Sequence, residues 1–317
     1  MGWLAEKNQP GRSSQSSQST EAISIEVAFP DAASDRSGCL RIDRLIPLTA
    51  PSLSGDAAGQ ALIRELRLVY GVGGRYAQRL KDQGYTSIVD LVDHPRWGAA
   101  SSALLTDWGS PFDPAAIHRS LARWLPSGDP LHMQSLGLMP IEALRFFDLE
   151  TLGLGGAPIF LSAIGRFVEG GFLVRQFLAP SLGAEVALLE RTAADLADAS
   201  ALLSYNGKSF DWTMLKERFA YYGLPLPDAP IHVDLLHHVR RAFASTVPDC
   251  HLGTIEACVL DIERTNDVPS AEVPLRYTEY LETGDAAPLV PVVNHNRQDL
   301  VSLVVLLDRL LQMDSDD

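Results

Sequence analysis

"RFFDLETLGL", residues 145–154, runs an apolar stretch into two carboxylates with one leucine between them, and glycines follow. As a strand its side chains alternate faces, so Leu144, Phe146, Asp148 and Glu150 share one side, and Arg145, Phe147 and Leu149 take the other. Asp148 and Glu150 then stand about 7 Å apart, two rises of roughly 3.3–3.4 Å. Like charges so near an apolar surface repel each other and are costly to desolvate unless a cation or donor joins them. The stretch predicts a buried strand that ends in a charged site, with something positive beside it.

The segments around it set the fold class. "ALRFFDLE", "PIFLSAIGRFV" and "GFLVRQFLAP" read as three successive strands, the last two joined by a tight "EGG" turn. "AEVALLERTAADLADA" reads as a helix, "ALLSY" as a short buried strand, and "SFDWTMLKERFAYYG" as a helix closed by Gly223. "IHVDLL" is a last strand, and the remainder is helical, ending in "LVPVVNHNRQDLVSLVVLLDRLLQ". A three-strand meander followed by alternating helices and strands predicts an α/β fold, a mixed sheet with helices packed on it.

Upstream, "NQPGRSSQSSQST" (8–20) is polar and low in complexity and reads as disordered. Two strand-like runs follow, "ISIEVAF" and "CLRIDRLIPL"; from about 60 the pattern turns helical, through "PAAIHRSLARWL" to a break at "PSGDP". The expected organisation is a largely disordered or irregular leader (1–58), a small helical domain (59–125), a linker (126–141) and an α/β domain (142–313).

The chain is 46% apolar, enough for a substantial core. Its formal charge of −14 and pI near 4.9 argue against a protein that coats nucleic acid electrostatically, and leave room for a local basic track. Cys39, Cys250 and Cys258 form no metal-type cluster, and an odd number without a secretory signal fits a reducing cytoplasm. "LVSLVVLL" is far too short for a membrane span, and Glu6 speaks against myristoylation.

Two further stretches join the first. Asp211 falls in the first turn of its helix, where the dipole alone would favour an acid, yet it shares a face with Met214, Leu215 and Phe219. His295 and Asp299 are four apart on a helix, hence neighbours, with Leu303 next along that face. Each feature alone has a plain structural reading: solvated strand-end acids, a dipole-favoured acid, a histidine satisfied by its neighbour. Together they give four acids at inward-facing or terminal positions and one histidine. Paired divalent cations held by several carboxylates activate water and stabilise a phosphoryl leaving group in many nucleases, and hard oxygen ligands select Mg²⁺ or Mn²⁺ over zinc. A histidine beside such a site can take the proton of the attacking water.

The order "FDLET", "YNGKSFD", "HNRQD" resembles the DEDD (DnaQ-like) 3′–5′ exonuclease superfamily on a ribonuclease H-like fold. More narrowly, "YNGKSFDWTMLKERF", "HVDLLHHVRR", "DVPSAEVPLRY" and "HNRQDLVSL" are similar to stretches of the YprB-type ribonuclease H-like family, over about 142–312. The resemblance implies a five-stranded mixed sheet flanked by helices, two Mg²⁺ or Mn²⁺ ions on Asp148, Glu150, Asp211 and Asp299, and His295 as general base. In the histidine branch of the superfamily the histidine stands five before the last aspartate, where this chain has Asn294; the tyrosine branch uses four, the offset of His295. Ser270 stands in "DVPSAEVP" where the resemblance leads one to expect glycine.

"YGVGGRYAQRLKDQGYTSIVDLVDHP" resembles a helix-hairpin-helix motif, whose glycine turn presents backbone N–H groups to a phosphate. Gly71, Gly73, Arg75, Arg79 and Lys81, together with Asn206 in "YNGKSFD", are the candidate nucleic-acid contacts; an ordinary helical hairpin is the plainer alternative for this segment. Asp234 reads as a helix N-cap or a further site acid, and His232, His237 and His238 as structural or surface residues. The functional expectation is a metal-dependent exonuclease acting on DNA or RNA, with a catalytically silent nucleic-acid-binding or adaptor protein as the competing reading.

Overall fold

The computed structural model of the 317-residue chain describes residues 22–34, 38–226, 231–265 and 267–316; the polar stretch 8–20 lies outside them. Strands β1 (Ala33–Ser34), β2 (Leu40–Ile46), β3 (Leu144–Thr151), β4 (Ile159–Val168), β5 (Gly171–Leu178), β6 (Ala201–Ser204) and β7 (Ile231–Asp234) form one sheet in the order β1-β2-β5-β4-β3-β6-β7. β3, β4 and β5 are the antiparallel meander, and β6 and β7 extend it in parallel from β3.

The expected count of five strands is corrected to seven. β2 pairs along its whole length with β5, from Leu40 opposite Leu178 to Ile46 opposite Phe172, so the edge that β5 would expose is covered. Leu40 and Ile42 bury against Phe160, Leu161 and Tyr277, which is why "CLRIDRLIPL" is ordered sheet rather than irregular leader. "ISIEVAF" is not a strand: Ile25–Ala28 is one helical turn, α1, and Phe29 after it drops into the same apolar cluster. Its β-branched composition is overridden by that packing.

Because β3 is central, both of its faces are buried and its alternation divides two cores. Leu144 and Phe146 pack with Leu300, Leu303 and Leu307, whereas Phe147 and Leu149 pack with Leu188 of α7 (Glu185–Leu196) and with Leu215 and Phe219. Burial of each phenylalanine contributes about 1.5–3 kcal/mol relative to exposure. Arg145, 1% exposed on the second face, is neutralised by Asp198 at 2.5 Å and donates to the carbonyl oxygen of Glu142.

Helices α2 (Gly55–Arg64), α3 (Gly74–Asp82), α4 (Gly98–Trp108) and α5 (Pro114–Trp124) surround their own core of Leu62, Leu66, Leu80, Leu91, Trp108 and Ile117. Ser54 caps α2 and Asp113 caps α5, with Pro114 opening the latter. The stretch expected as a linker contains a short helix, α6 (Leu131–Gln134), and a further tight turn to Leu138. Leu131 belongs to the helical core while Met133 and Leu136 belong to the sheet core, so this segment is a packed junction. Among the described residues no helix is long and apolar enough to cross a membrane.

Candidate active site

Asp148 and Glu150 leave β3 on the face of Leu144 and Phe146, opposite Ala163 and Leu161 of β4, and the register shifts immediately after Glu150. Such irregularities bend a strand end and re-aim its side chains. The ladder from β3 to β6 stops at Phe146, so the amide of Leu149 has no partner there. It donates instead to Asp211 Oδ1 at 3.1 Å, which ties the first residue of α8 (Asp211–Tyr222) to the end of β3.

The turn before α8 requires Gly207. A Cβ at that position would lie 2.5 Å from Ser204 Oγ and 3.0 Å from Asp211 Oδ2. Asn206 has φ +61, and its amide, like that of Lys208, donates to Asp234. Asp234 also accepts from Leu236 as N-cap of α9 (Leu235–Phe243). The N-cap reading of Asp234 is what the hydrogen bonds show, and the same carboxylate holds the Asn206 turn.

The last acid and the histidine come from α12 (Leu289–Asp316), which crosses the same face of the sheet after α11 (Val273–Thr283). Next to His295, Asn296 donates from Nδ2 to Asp148 Oδ2 at 2.7 Å and is itself held by Gln176 of β5 at 2.8 Å. His295 Nδ1 lies 2.6 Å from an Asp267 oxygen and 3.0 Å from a terminal nitrogen of Arg264; the shorter contact, to a carboxylate that accepts, favours the ring hydrogen on Nδ1, with Nε2 3.8 Å from Asp299 Oδ2. Asp299 Oδ1 accepts from Arg264 at 2.5 Å. This guanidinium bonds Asp299 and bears on Glu150 only through its charge, so the strand-end pair itself has no ion-pair partner among the described residues.

Arg264 arrives from the loop after α10 (Leu252–Ile255), where residues 256–260 form a π-helical turn and Asp261 takes φ +53. Its main anchor is Glu256, 1% exposed, which also accepts from Ser302 of α12. Sequence reading singled out neither Arg264, Glu256, Asp267 nor Asn296. The one available signal was position: Asn296 lies inside "HNRQD", and Arg264 is the lone cation of "DIERTNDVPS".

The electrostatics are those of acids crowded without enough cations. Burial, then the charges of Asp299, Asp211 and Glu150, push the Asp148 carboxyl well above its ordinary range, against the Asn296 hydrogen bond. Burial, with Asp299 and Asp211, does the same to Glu150. Asp211 is raised to about 7 by burial, its two backbone hydrogen bonds opposing. Asp299 is raised by burial although Arg264 and His295 pull it down. Asp267 behaves oppositely: burial pushes it up, but the His295 hydrogen bond and the charges of His295 and Arg264 hold it below the carboxylate range.

Four oxygen-donor carboxylates in mutual repulsion fit a hard divalent cation by chemistry. Glu150 makes no hydrogen bond or ion pair among the described residues that would consume its oxygens. Yet among those residues no three aspartate, glutamate, histidine or cysteine side chains are gathered closely enough to hold a metal ion as they stand. Asp299, engaged by Arg264, is the acid with a competing partner.

A family model of the RNase_H superfamily matches residues 145–311, more than half of the chain, a span that includes all four acids and His295. The chain belongs to the RNase_H superfamily. The mixed sheet with helices on both faces agrees with an RNase H-like fold. Over 168 residues this RNase_H chain is 38% identical to "Uncharacterized protein YprB" of Bacillus subtilis (strain 168), an alignment covering 51% of this chain and 40% of that protein. The match thus spans less than half of that relative's length. Among solved structures it is similar to the family B DNA polymerase from the hyperthermophilic archaeon Pyrobaculum calidifontis, with 17% identity and a TM-score of 0.43, covering 53% of this chain and 24% of the polymerase chain.

Within this RNase_H fold Asp148, Glu150, Asp211, Asp299 and His295 converge at one end of β3. Gly71, Gly73, Arg75, Arg79 and Lys81 do not join them; they sit at the start and along the exposed face of α3, against the helical core. His232 and His238 are buried, each lowered to about 3 by desolvation first, and His232 Nε2 pairs with Ser204 Oγ at 2.7 Å.

Proposed function

We propose that this chain is a divalent-metal-dependent nuclease, a 3′–5′ exonuclease using two Mg²⁺ or Mn²⁺ ions held by Asp148, Glu150, Asp211 and Asp299. The observation that carries the reading is the convergence of four half-buried or buried carboxylates, raised by burial and mutual charge, at the end of the central strand. A purely structural strand end gains nothing from such repulsion. When bound, the ions supply Lewis-acid stabilisation of the phosphate and an acidified water. Asp148 and Glu150 present oxygens from a rigid strand, and Asp211 is oriented by the Leu149 amide. His295, with Nδ1 fixed by Asp267, keeps Nε2 open to take the proton of the attacking water.

The decisive experiment incubates end-labelled single- and double-stranded DNA and RNA with the protein in Mg²⁺, Mn²⁺ or EDTA. Stepwise release of mononucleotides from the 3′ end, stopped by EDTA, is expected. Internal cuts would replace the exonuclease assignment by an endonuclease, and metal-independent binding without cleavage would favour the catalytically silent adaptor.

The turn at Gly71–Gly73 contributes substrate contacts remote from the chemistry in this reading. Gly71 has φ +85, and a side chain at Gly73 or Gly74 would meet nothing within 4 Å, so the start of α3 is open to a phosphate. Exposed aromatics flank the turn: Tyr70 lies edge-on to Trp124, over which Arg123 sits, and Tyr76 lies against the buried Trp97, with Arg96 over both rings. Base stacking and backbone neutralisation use these side chains. Replacing Arg75, Arg79 and Lys81 together by alanine should weaken nucleic-acid affinity and reduce the slope of log affinity against log salt by about two to three. Turnover on saturating substrate should change little. Fluorescence anisotropy over a salt series measures this, and an unchanged slope leaves the segment an ordinary helical hairpin.

A further inference from the structure

Arg264 is anchored away from the carboxylates and reaches back to them. Its Nε donates to Glu256 Oε2 at 2.5 Å and one terminal nitrogen to Oε1 at 2.7 Å, a two-pronged pair on a buried acid. Ser302, which also donates to Glu256, stands three residues beyond Asp299, so loop and helix are tied at one point. A guanidinium that only fastened the loop would be satisfied there. This one extends to Asp299 Oδ1 at 2.5 Å, and its other terminal nitrogen lies 3.0 Å from His295 Nδ1 and 3.6 Å from Asp267 Oδ2. Among the described residues no other arginine or lysine lies within ion-pair distance of any of the four site acids.

We propose that Arg264 is a positioning residue: it holds Asp299 as the built-in counter-cation of the carboxylate cluster, and it competes with the divalent ion for Asp299. The proposal rests on the reading of these acids as metal ligands. It accounts for a set of donors suited to a hard cation that is nevertheless not gathered around one point. With Glu256 retaining the guanidinium, an entering cation meets an Asp299 already donated to and a positive charge a few ångströms away. Coulomb repulsion of a divalent ion at that range, even at the dielectric of water, weakens binding by about tenfold.

The test titrates Mn²⁺ into the metal-free full chain by calorimetry and follows thermal unfolding with and without the ion. Arg264→Gln should bind Mn²⁺ about tenfold more tightly than the wild type, unfold at a lower temperature without metal, and recover most of that loss in saturating Mn²⁺. Glu256→Gln frees the guanidinium for Asp299 and should shift affinity the other way, weakening Mn²⁺ binding several-fold; this variant keeps the idea testable if Arg264→Gln does not fold. Mn²⁺ affinity that is unchanged or lower in folded Arg264→Gln, or unchanged in Glu256→Gln, overturns the proposal while leaving the metal site standing. Absence of Mn²⁺ binding to the wild type overturns the metal reading and this proposal with it.

Discussion

Asp148→Asn should lower metal-dependent hydrolysis by at least about 10³-fold, beyond the loss typical of one electrostatic group in an active site, while making the metal-free protein more stable near pH 8. The two effects share one cause. Burial and the charges of Asp299, Asp211 and Glu150 raise the folded-state pKa of Asp148 well above that of an unfolded aspartate, about 3.9. The native state therefore binds more protons than the unfolded state between those values. Its contribution to stability is complete below the unfolded pKa and is lost as pH rises through the folded one. Glu150, Asp299 and Asp211, the last raised to about 7, act with the same sign. Metal-free wild type should thus lose stability from about pH 5 to 8, and the asparagine variant should lose less. The amide can still accept from Asn296 Nδ2, so the local geometry survives. Denaturation in EDTA across this pH range, beside hydrolysis assays in Mn²⁺, checks both halves. Retained activity would remove Asp148 from catalysis; a destabilised variant at pH 8 would contradict the repulsion account.

His295→Ala should slow turnover by roughly 10²–10⁴-fold with little change in substrate affinity. The ring lies with Nδ1 against Asp267 at 2.6 Å and Nε2 3.8 Å from Asp299. If the imidazole instead serves only to orient Asp299, Mn²⁺ affinity falls in the variant and high Mn²⁺ restores the rate. Rates measured across a Mn²⁺ titration separate the two, and full rescue rules out the base.

Much of the site was legible because its signals are local. The period of two placed Asp148 and Glu150 with Phe146 and against Phe147, and the two cores divide these residues in that way. The period of 3.6 put His295 beside Asp299 and turned Asp211 toward Leu215 and Phe219. Hairpin spacing announced the β3–β4–β5 meander. The strand-like run of the leader was visible too, but not its partner: β2 pairs with β5 across more than a hundred residues, and no periodicity names the edge a strand will cover.

The sequence by itself determined that four acids and a histidine fall at inward-facing or terminal positions of their elements, and that the strand-end pair needs a positive partner. Only the tertiary structure decided which cation stands among the acids, and it meets Asp299 rather than the strand-end pair. Arg264 is 35 residues from Asp299 and is held by Glu256, whose other partner, Ser302, is 46 residues away. Charge neutralisation is satisfied by whichever guanidinium the packed loops bring within about 3 Å, and that proximity comes from folding the chain back on itself, which leaves no mark in the spacing of residues along it.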